Sequence, residues 1–244
     1  MVHNSSGTKQ PIRVSFSGMD GAGKSTQIER LHLRLTAAGL RVRILTFWDD
    51  FAVMTRFRER ATHSLFKGER GVGAPGQPVN RRDKNVRSWY MTGARLVLYF
   101  FEALSLRRAA FQAENADVLI FDRYLYDQLA NLPLQQFFVR QYARLLLQLV
   151  PQPDIAYLLD ADPYLARKRK PEYPVDFLQN IRASYHILSA MNRMTVLAPG
   201  SVCEVGEAAA AAILQRWPEL ESASLDRGAS REVPRQPLAI EGQQ

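Results

Sequence analysis

Apolar residues fall along this chain in short strand-like and helical runs that alternate. Ile12 to Ser17 is β-branched and aromatic and then breaks into glycine, which predicts a strand. From Lys24 to Ala38 apolar residues recur at Ile28, Leu31, Leu35 and Ala38, the spacing of one helical face, and Gly39 stands where a helix would end. Arg41 to Phe47 reads as a second strand and Phe51 to Phe66 as a helix. Gly68 to Asp83 collects Gly, Pro, Arg and Asn without any period, so loop 68–83 is expected to be mobile and on the surface. A long helical pattern, Ser88 to Glu114, leads into an apolar strand at Val118 to Phe121. Beyond it the pattern predicts a helix over Leu134–Val150, a strand at Ile155–Leu159, a short helix at Pro163–Lys170 and a helix at Val175–Met191. A weak strand at Thr195–Ala198 and a helix at Val205–Trp217 follow. Segments 1–11 and 218–244 are polar and expected to be disordered.

Strands alternating with helices imply an α/β fold: a parallel central sheet of about five strands with helices on both faces, forming one domain over residues 12–217. Ligands of such sheets bind at the carboxyl ends of the strands.

Composition narrows the classes. Of 244 residues, 46% are hydrophobic and 23% charged, an ordinary globular balance. Cys203 stands alone and cannot form an internal disulfide. The best apolar run, Leu96 to Leu106, is short and broken by Glu102, and Met1 to Gln10 lacks the apolar core of a signal peptide, so a cytoplasmic protein with no membrane partner is expected. The net charge is +8, carried by 26 Arg and 6 Lys. Arginine offers a planar fork to phosphate, which fits an anionic ligand, although an Arg-biased composition accounts for the excess equally well. No basic tract interleaved with aromatics is present, so nucleic acid is not an expected partner. His3, His32, His63 and His186 are scattered and suggest no metal cluster.

Candidate chemistry sits where the fold class would put it. Gly18-Met19-Asp20-Gly21-Ala22-Gly23-Lys24-Ser25 satisfies G-x-x-x-x-G-K-[ST] between the first strand and the first helix, the context that gives the motif meaning. Glycines let the backbone wrap phosphate oxygens, and the helix N-terminus adds its dipole. Gly18 to Thr26 are the candidate ATP-binding residues, with Lys24 on the transferring phosphoryl group and the Ser25 hydroxyl on Mg²⁺. The third strand runs into Asp122-Arg123-Tyr124, a place for a carboxylate near Mg²⁺ or the attacking group. The plainer alternative for Asp122 is a cap for the following helix. Arg167-Lys168-Arg169-Lys170 forms four cations in a row on a candidate lid near 164–174, either closing over the donor or lying as a solvated helix end.

Together these residues resemble the thymidylate kinase family of P-loop nucleoside monophosphate kinases over about residues 12–217. The P-loop GMDGAGKSTQ, Asp122-Arg123-Tyr124, the turn Leu159-Asp160-Ala161-Asp162-Pro163 and the pattern Phe177…Arg182…Tyr185 stand in the family's order. The resemblance implies ATP-dependent transfer to a nucleotide, dTMP to dTDP, with Mg²⁺ as cofactor. It implies that Asp20 holds the deoxyribose 3′-hydroxyl, that Arg95 contacts the acceptor, and that Asp122 and Arg123 are the acid and phosphate-orienting base of the site, with Tyr124 beside them on the acceptor side. Some members carry a catalytic arginine in the P-loop; with Gly21 in that place, the resemblance assigns the task to the lid residues Arg167 and Arg169. It also implies a homodimer, for which the aromatic helix Tyr90–Phe111 offers a face, unless that face is core.

Two departures bear on the acceptor. After the second strand the family usually carries an Arg for the acceptor phosphate, whereas this chain reads Thr46-Phe47-Trp48-Asp49-Asp50-Phe51. The Ser and Gln that help members read thymine are not evident in Leu125 to Asn131. An acid after the second strand is what deoxynucleoside kinases use as general base on a 5′-hydroxyl, so Asp49 supports an alternative: a kinase for a nucleoside or another small hydroxyl compound. The acid pair also fits a helix cap. A non-catalytic nucleotide-binding switch, using loop 68–83 and the tail, is the third reading.

Overall fold

The computed structural model describes residues 10–47, 89–112 and 116–217. The expected helix 51–66, loop 68–83, Asp49 and Asp50, and segments 1–9 and 218–244 lie outside the described residues. Five parallel strands, β1 (Ile12–Ser17), β2 (Val42–Thr46), β3 (Val118–Asp122), β4 (Ile155–Leu159) and β5 (Thr195–Leu197), make one sheet in the order β2-β3-β1-β4-β5. The described helices are α1 (Lys24–Ala37), α2 (Trp89–Gln112), α3 (Leu125–Leu129), α4 (Phe137–Leu149), α5 (Pro163–Arg169), α6 (Val175–Asn192) and α7 (Val202–Arg216).

Strand alternation builds a core on each face of the sheet. Val14 and Phe16 of β1, Val118 and Ile120 of β3, and Tyr157 and Leu159 of β4 pack with Ile28, Leu31 and Leu35 of α1 and Ala209 and Ile213 of α7. Leu119 and Phe121, one residue out of phase, pack on the other face with Tyr99, Leu106, Leu146 and Leu188 from α2, α4 and α6. Burying one such side chain contributes roughly 1.5–3 kcal/mol. The near-continuous apolar runs of β3 and β4 follow from this, because strands covered on both faces have no polar side to show.

β1 lies at the centre, between β3 and β4, so the strand that feeds the P-loop borders the point where strand order reverses. Register places Phe16 beside Asp122, two residues before Gly18. Asp122 is therefore the last residue of β3 rather than a residue beyond it.

Two helix starts and one whole helix depart most from the sequence reading. α7 starts at Val202 because Ser201 and Glu204 form a reciprocal capping box: the Ser201 hydroxyl accepts from the Glu204 amide at 3.2 Å and the Glu204 carboxylate from the Ser201 amide at 2.8 Å. α4 starts at Phe137 rather than Leu134, since tight turns around Pro133 occupy the preceding residues (Leu134 N to Leu132 O, 2.8 Å; Gln136 N to Pro133 O, 3.0 Å). α3 has no counterpart in the pattern; five residues are too few for a helical period to register.

Candidate active site

The P-loop is shaped by what its glycines must avoid. Gly18 has φ of 146°, and a Cβ there would stand 2.6 Å from the Leu159 carbonyl oxygen of β4. Gly21 has φ of 85°, and its Cβ would stand 2.4 Å from the Ala166 carbonyl oxygen of α5. The candidate lid thus lies directly on the loop. Gly23, the N-cap of α1, has no side chain to cap the first-turn amides, and Ser25 and Thr26 are exposed there, an arrangement suited to an anion.

Lys24 is buried, its ammonium donating to the carbonyls of Gly18 at 2.7 Å and Met19 at 3.0 Å. Burial, and next the nearby Arg123 charge, lower its pKa to about 8, against the opposing pull of Asp20, Asp127 and Asp122. Asp122 behaves oppositely. Burial raises its pKa, while Arg123 and Lys24 press it down.

Arg123 is a non-glycine residue at φ 71°, a left-handed conformation that costs of order 1 kcal/mol or more. Its backbone N–H donates to Phe16 O at 3.1 Å, and its guanidinium pairs with Asp20 in a short hydrogen bond. Burial opposes the charge, but Asp20 and Asp127 hold the pKa above its ordinary value. The same Asp20 oxygen lies 4.0 Å from the Lys170 ammonium, which is 3.0 Å from the buried Glu172 carboxylate. Charges of alternating sign therefore run from the lid through the P-loop acid to Arg123.

Asp127, on α3, is the principal residue that the sequence reading passed over. Its Oδ2 accepts from Ser17 Oγ at 2.7 Å and from the Tyr124 amide at 3.0 Å. Its Oδ1 accepts from Tyr185 Oη at 2.8 Å and the Gly18 amide at 3.4 Å. The available signal was positional: an acid three residues after the residue preceding a helix is placed to accept that residue's N–H. It follows that Asp127, through the Tyr124 amide, caps α3, the role weighed for Asp122.

The other candidates are placed as follows. Asp162 caps α5, accepting from the amides of Tyr164 at 2.9 Å and Leu165 at 3.0 Å. Arg167 folds back on the Tyr173 carbonyl, and the exposed Arg169 donates to Gly21 O at 3.4 Å. Arg182 grips Asp160 through two hydrogen bonds, 2.7 and 2.6 Å, tying α6 to the end of β4. Tyr124 is buried. Its side chain is core, packed against Phe121 and Tyr126 with the hydroxyl on the Pro151 carbonyl, and it lines neither the recess at Asp20 nor the cleft at Arg95 described below.

Arg95 lines a cleft of about 390 Å³ with Thr92, Asn131, Gln135, Phe177 and Asn180. Asn131, Phe177 and Ile181 also line the neighbouring recess that holds Asp20, Arg123 and Asp127, so the two spaces lie side by side. The carboxamides of Asn131, Gln135 and Asn180 gave no signal in the sequence, since isolated amides carry no motif. Among the described residues no three His, Cys, Asp or Glu side chains gather to hold a metal ion by themselves.

A parallel sheet of this order, whose central strand opens into a phosphate-binding loop with a buried lysine, is the P-loop NTPase fold, and the site has the make-up of a nucleotide phosphotransferase. No protein-family model matches the chain. Thymidylate kinases of Bifidobacterium longum strains DJO10A and NCC 2705 are each 29% identical over 159 residues, 64% of this chain and 69% of theirs. The solved structure of thymidylate kinase from Candida albicans shares the fold, with a TM-score of 0.58 at 15% identity over 87% of this chain and 94% of that one. The chain is thus similar to thymidylate kinases over about two thirds of its length in sequence, and shares their fold.

Proposed function

We propose that the protein transfers the terminal phosphoryl group of ATP to a nucleoside monophosphate, dTMP in the first instance, giving dTDP and ADP. The observation that carries this reading is a recess lined by the P-loop residues Gly18, Met19 and Asp20 with Arg123, which shares Asn131, Phe177 and Ile181 with the cleft that holds Arg95. Lys24 and the loop amides take the donor phosphates. Arg123 and Arg95 orient the acceptor, and Asp20 is placed to hold a sugar hydroxyl once Arg123 turns to phosphate. Arg169, beside Gly21, is the lid cation nearest the donor loop among the two assigned there; Arg167 must leave the Tyr173 carbonyl to reach a phosphate. The work is positioning and charge neutralisation.

Ser25 and Asp122 suit a hard cation. Both offer oxygen, and the burial that raises the Asp122 pKa is relieved by a positive charge beside it. Mg²⁺ held there would neutralise charge on the donor phosphates. A homodimer working in the cytoplasm completes the proposal. Val97, Phe100, Phe101 and Leu104 are 61%, 39%, 52% and 36% exposed and recur at helical spacing on α2, an outward apolar stripe for a partner. Among the described residues no helix is long and apolar enough to cross a membrane.

A coupled ADP-release assay against matched nucleosides and nucleoside monophosphates tests the reading. The expected result is the highest kcat/KM with dTMP and loss of turnover when EDTA removes the metal. Response to nucleosides alone would overturn it in favour of a base such as Asp49.

A further inference from the structure

We propose that Asp127 is a positioning residue for phosphoryl transfer, the buried carboxylate that fixes Arg123 against the P-loop. The inference rests on the phosphotransfer reading above and adds a residue that this reading does not need.

Its four donors come from three parts of the chain. Ser17 and Gly18 lead from β1 into the donor loop, the Tyr124 amide directly follows Arg123, and Tyr185 comes from α6. An ionised carboxylate is acceptor-only, and here each oxygen takes two donors. Arg123 sits between two tethers: its own N–H on Phe16 O, and the next amide on Asp127. A left-handed residue persists only where its surroundings over-determine it. These two bonds do so at the residue whose guanidinium meets Asp20 in the recess. Asp127 itself lines that recess beside Asp20 and Arg123.

An amide of the same shape cannot replace it, because the NH₂ end would confront two donors. Asp127→Asn is therefore expected to lower kcat by up to about 100-fold, the scale of an ångström of misplacement, with a much smaller change in KM for ATP. The decisive readout is a double-mutant cycle with Arg123→Ala. If Asp127 acts through Arg123, Asp127→Asn adds little once Arg123 is gone. Ser17→Ala, which removes a single donor, should lower kcat in the same direction and also lose its effect in the Arg123→Ala background. This second variant decides the matter if Asp127→Asn does not fold. An active wild-type enzyme in which both effects are additive with Arg123→Ala overturns the inference alone. A wild-type chain inert toward every acceptor, with ATP still bound, overturns the phosphotransfer reading and the inference with it.

Discussion

Burying an ammonium is unfavourable, and Lys24 carries that cost with the Gly18 and Met19 carbonyls as its hydrogen-bond acceptors. The fall of its pKa from 10.5 to about 8, led by desolvation, corresponds to about 3 kcal/mol of disfavoured charge. The folded chain releases this proton near pH 8 and the unfolded chain near 10.5, so the unfolded state binds more protons between those values and the Lys24 contribution to stability rises with pH there. Nucleotide affinity runs the other way. Phosphate binds the charged form, so ATP affinity should fall about tenfold per pH unit above pH 8, and titration calorimetry in two buffers at pH 8.5 should show proton uptake on binding. Lys24→Met should abolish ATP binding and turnover without lowering Tm; a marked loss of Tm would show that the ammonium holds the loop together. Gly21 makes a second prediction. Gly21→Ala combines a positive φ with a 2.4 Å approach to the Ala166 carbonyl, a backbone atom that cannot swing aside. Denaturant unfolding should register a loss of about 1–3 kcal/mol, and kcat should fall because α5 is pushed off the loop.

Two helix caps of equal chemical kind should separate stability from activity. Asp162→Ala and Ser201→Ala each remove a cap worth about 1 kcal/mol, measured by chemical denaturation. Only the first frays the helix that bears Arg167 and Arg169, so only the first should reduce kcat. Equal kinetic losses would mean that α5 does not act as a lid. At this scale much of the molecule was legible in the sequence. β1 follows from its β-branched and aromatic run, β4 from its apolar run and α1 from helical spacing, and the helix stop at Gly39 is realised as Gly39 N to Thr36 O and Leu40 N to Leu35 O bonds, 2.9 and 3.1 Å. The P-loop was legible for a local reason: its glycines, lysine and serine are contiguous, so spacing alone carries the geometry. α3 was not, because five residues show no period and their helix is fixed by a carboxylate bonded to β1 and α6. The placement of Tyr124 was not legible either. This residue adjoins Arg123 in sequence, yet the backbone reversal at Arg123 sends the two side chains apart, one to the recess and one to the core.

At the scale of the whole molecule, the outward stripe on α2 predicts self-association. Sedimentation should report a dimer, and Phe101→Asp, which places a charge in the middle of the stripe, should give a folded monomer. A wild-type monomer would leave the stripe to another use. Alternating strands and helices determined the layered α/β architecture, and one contiguous motif determined the P-loop and its buried lysine, because both depend on residues near one another in the chain. The pairing of β1 with β3 rather than with β2, the convergence of Asp20, Arg123, Asp127 and Lys170, and the cleft that joins Arg95 to Phe177 and Asn180 depend on contacts between distant segments. Those partners meet only when burial of apolar surface on both faces of the sheet fixes the strand order, and only the tertiary structure could decide them.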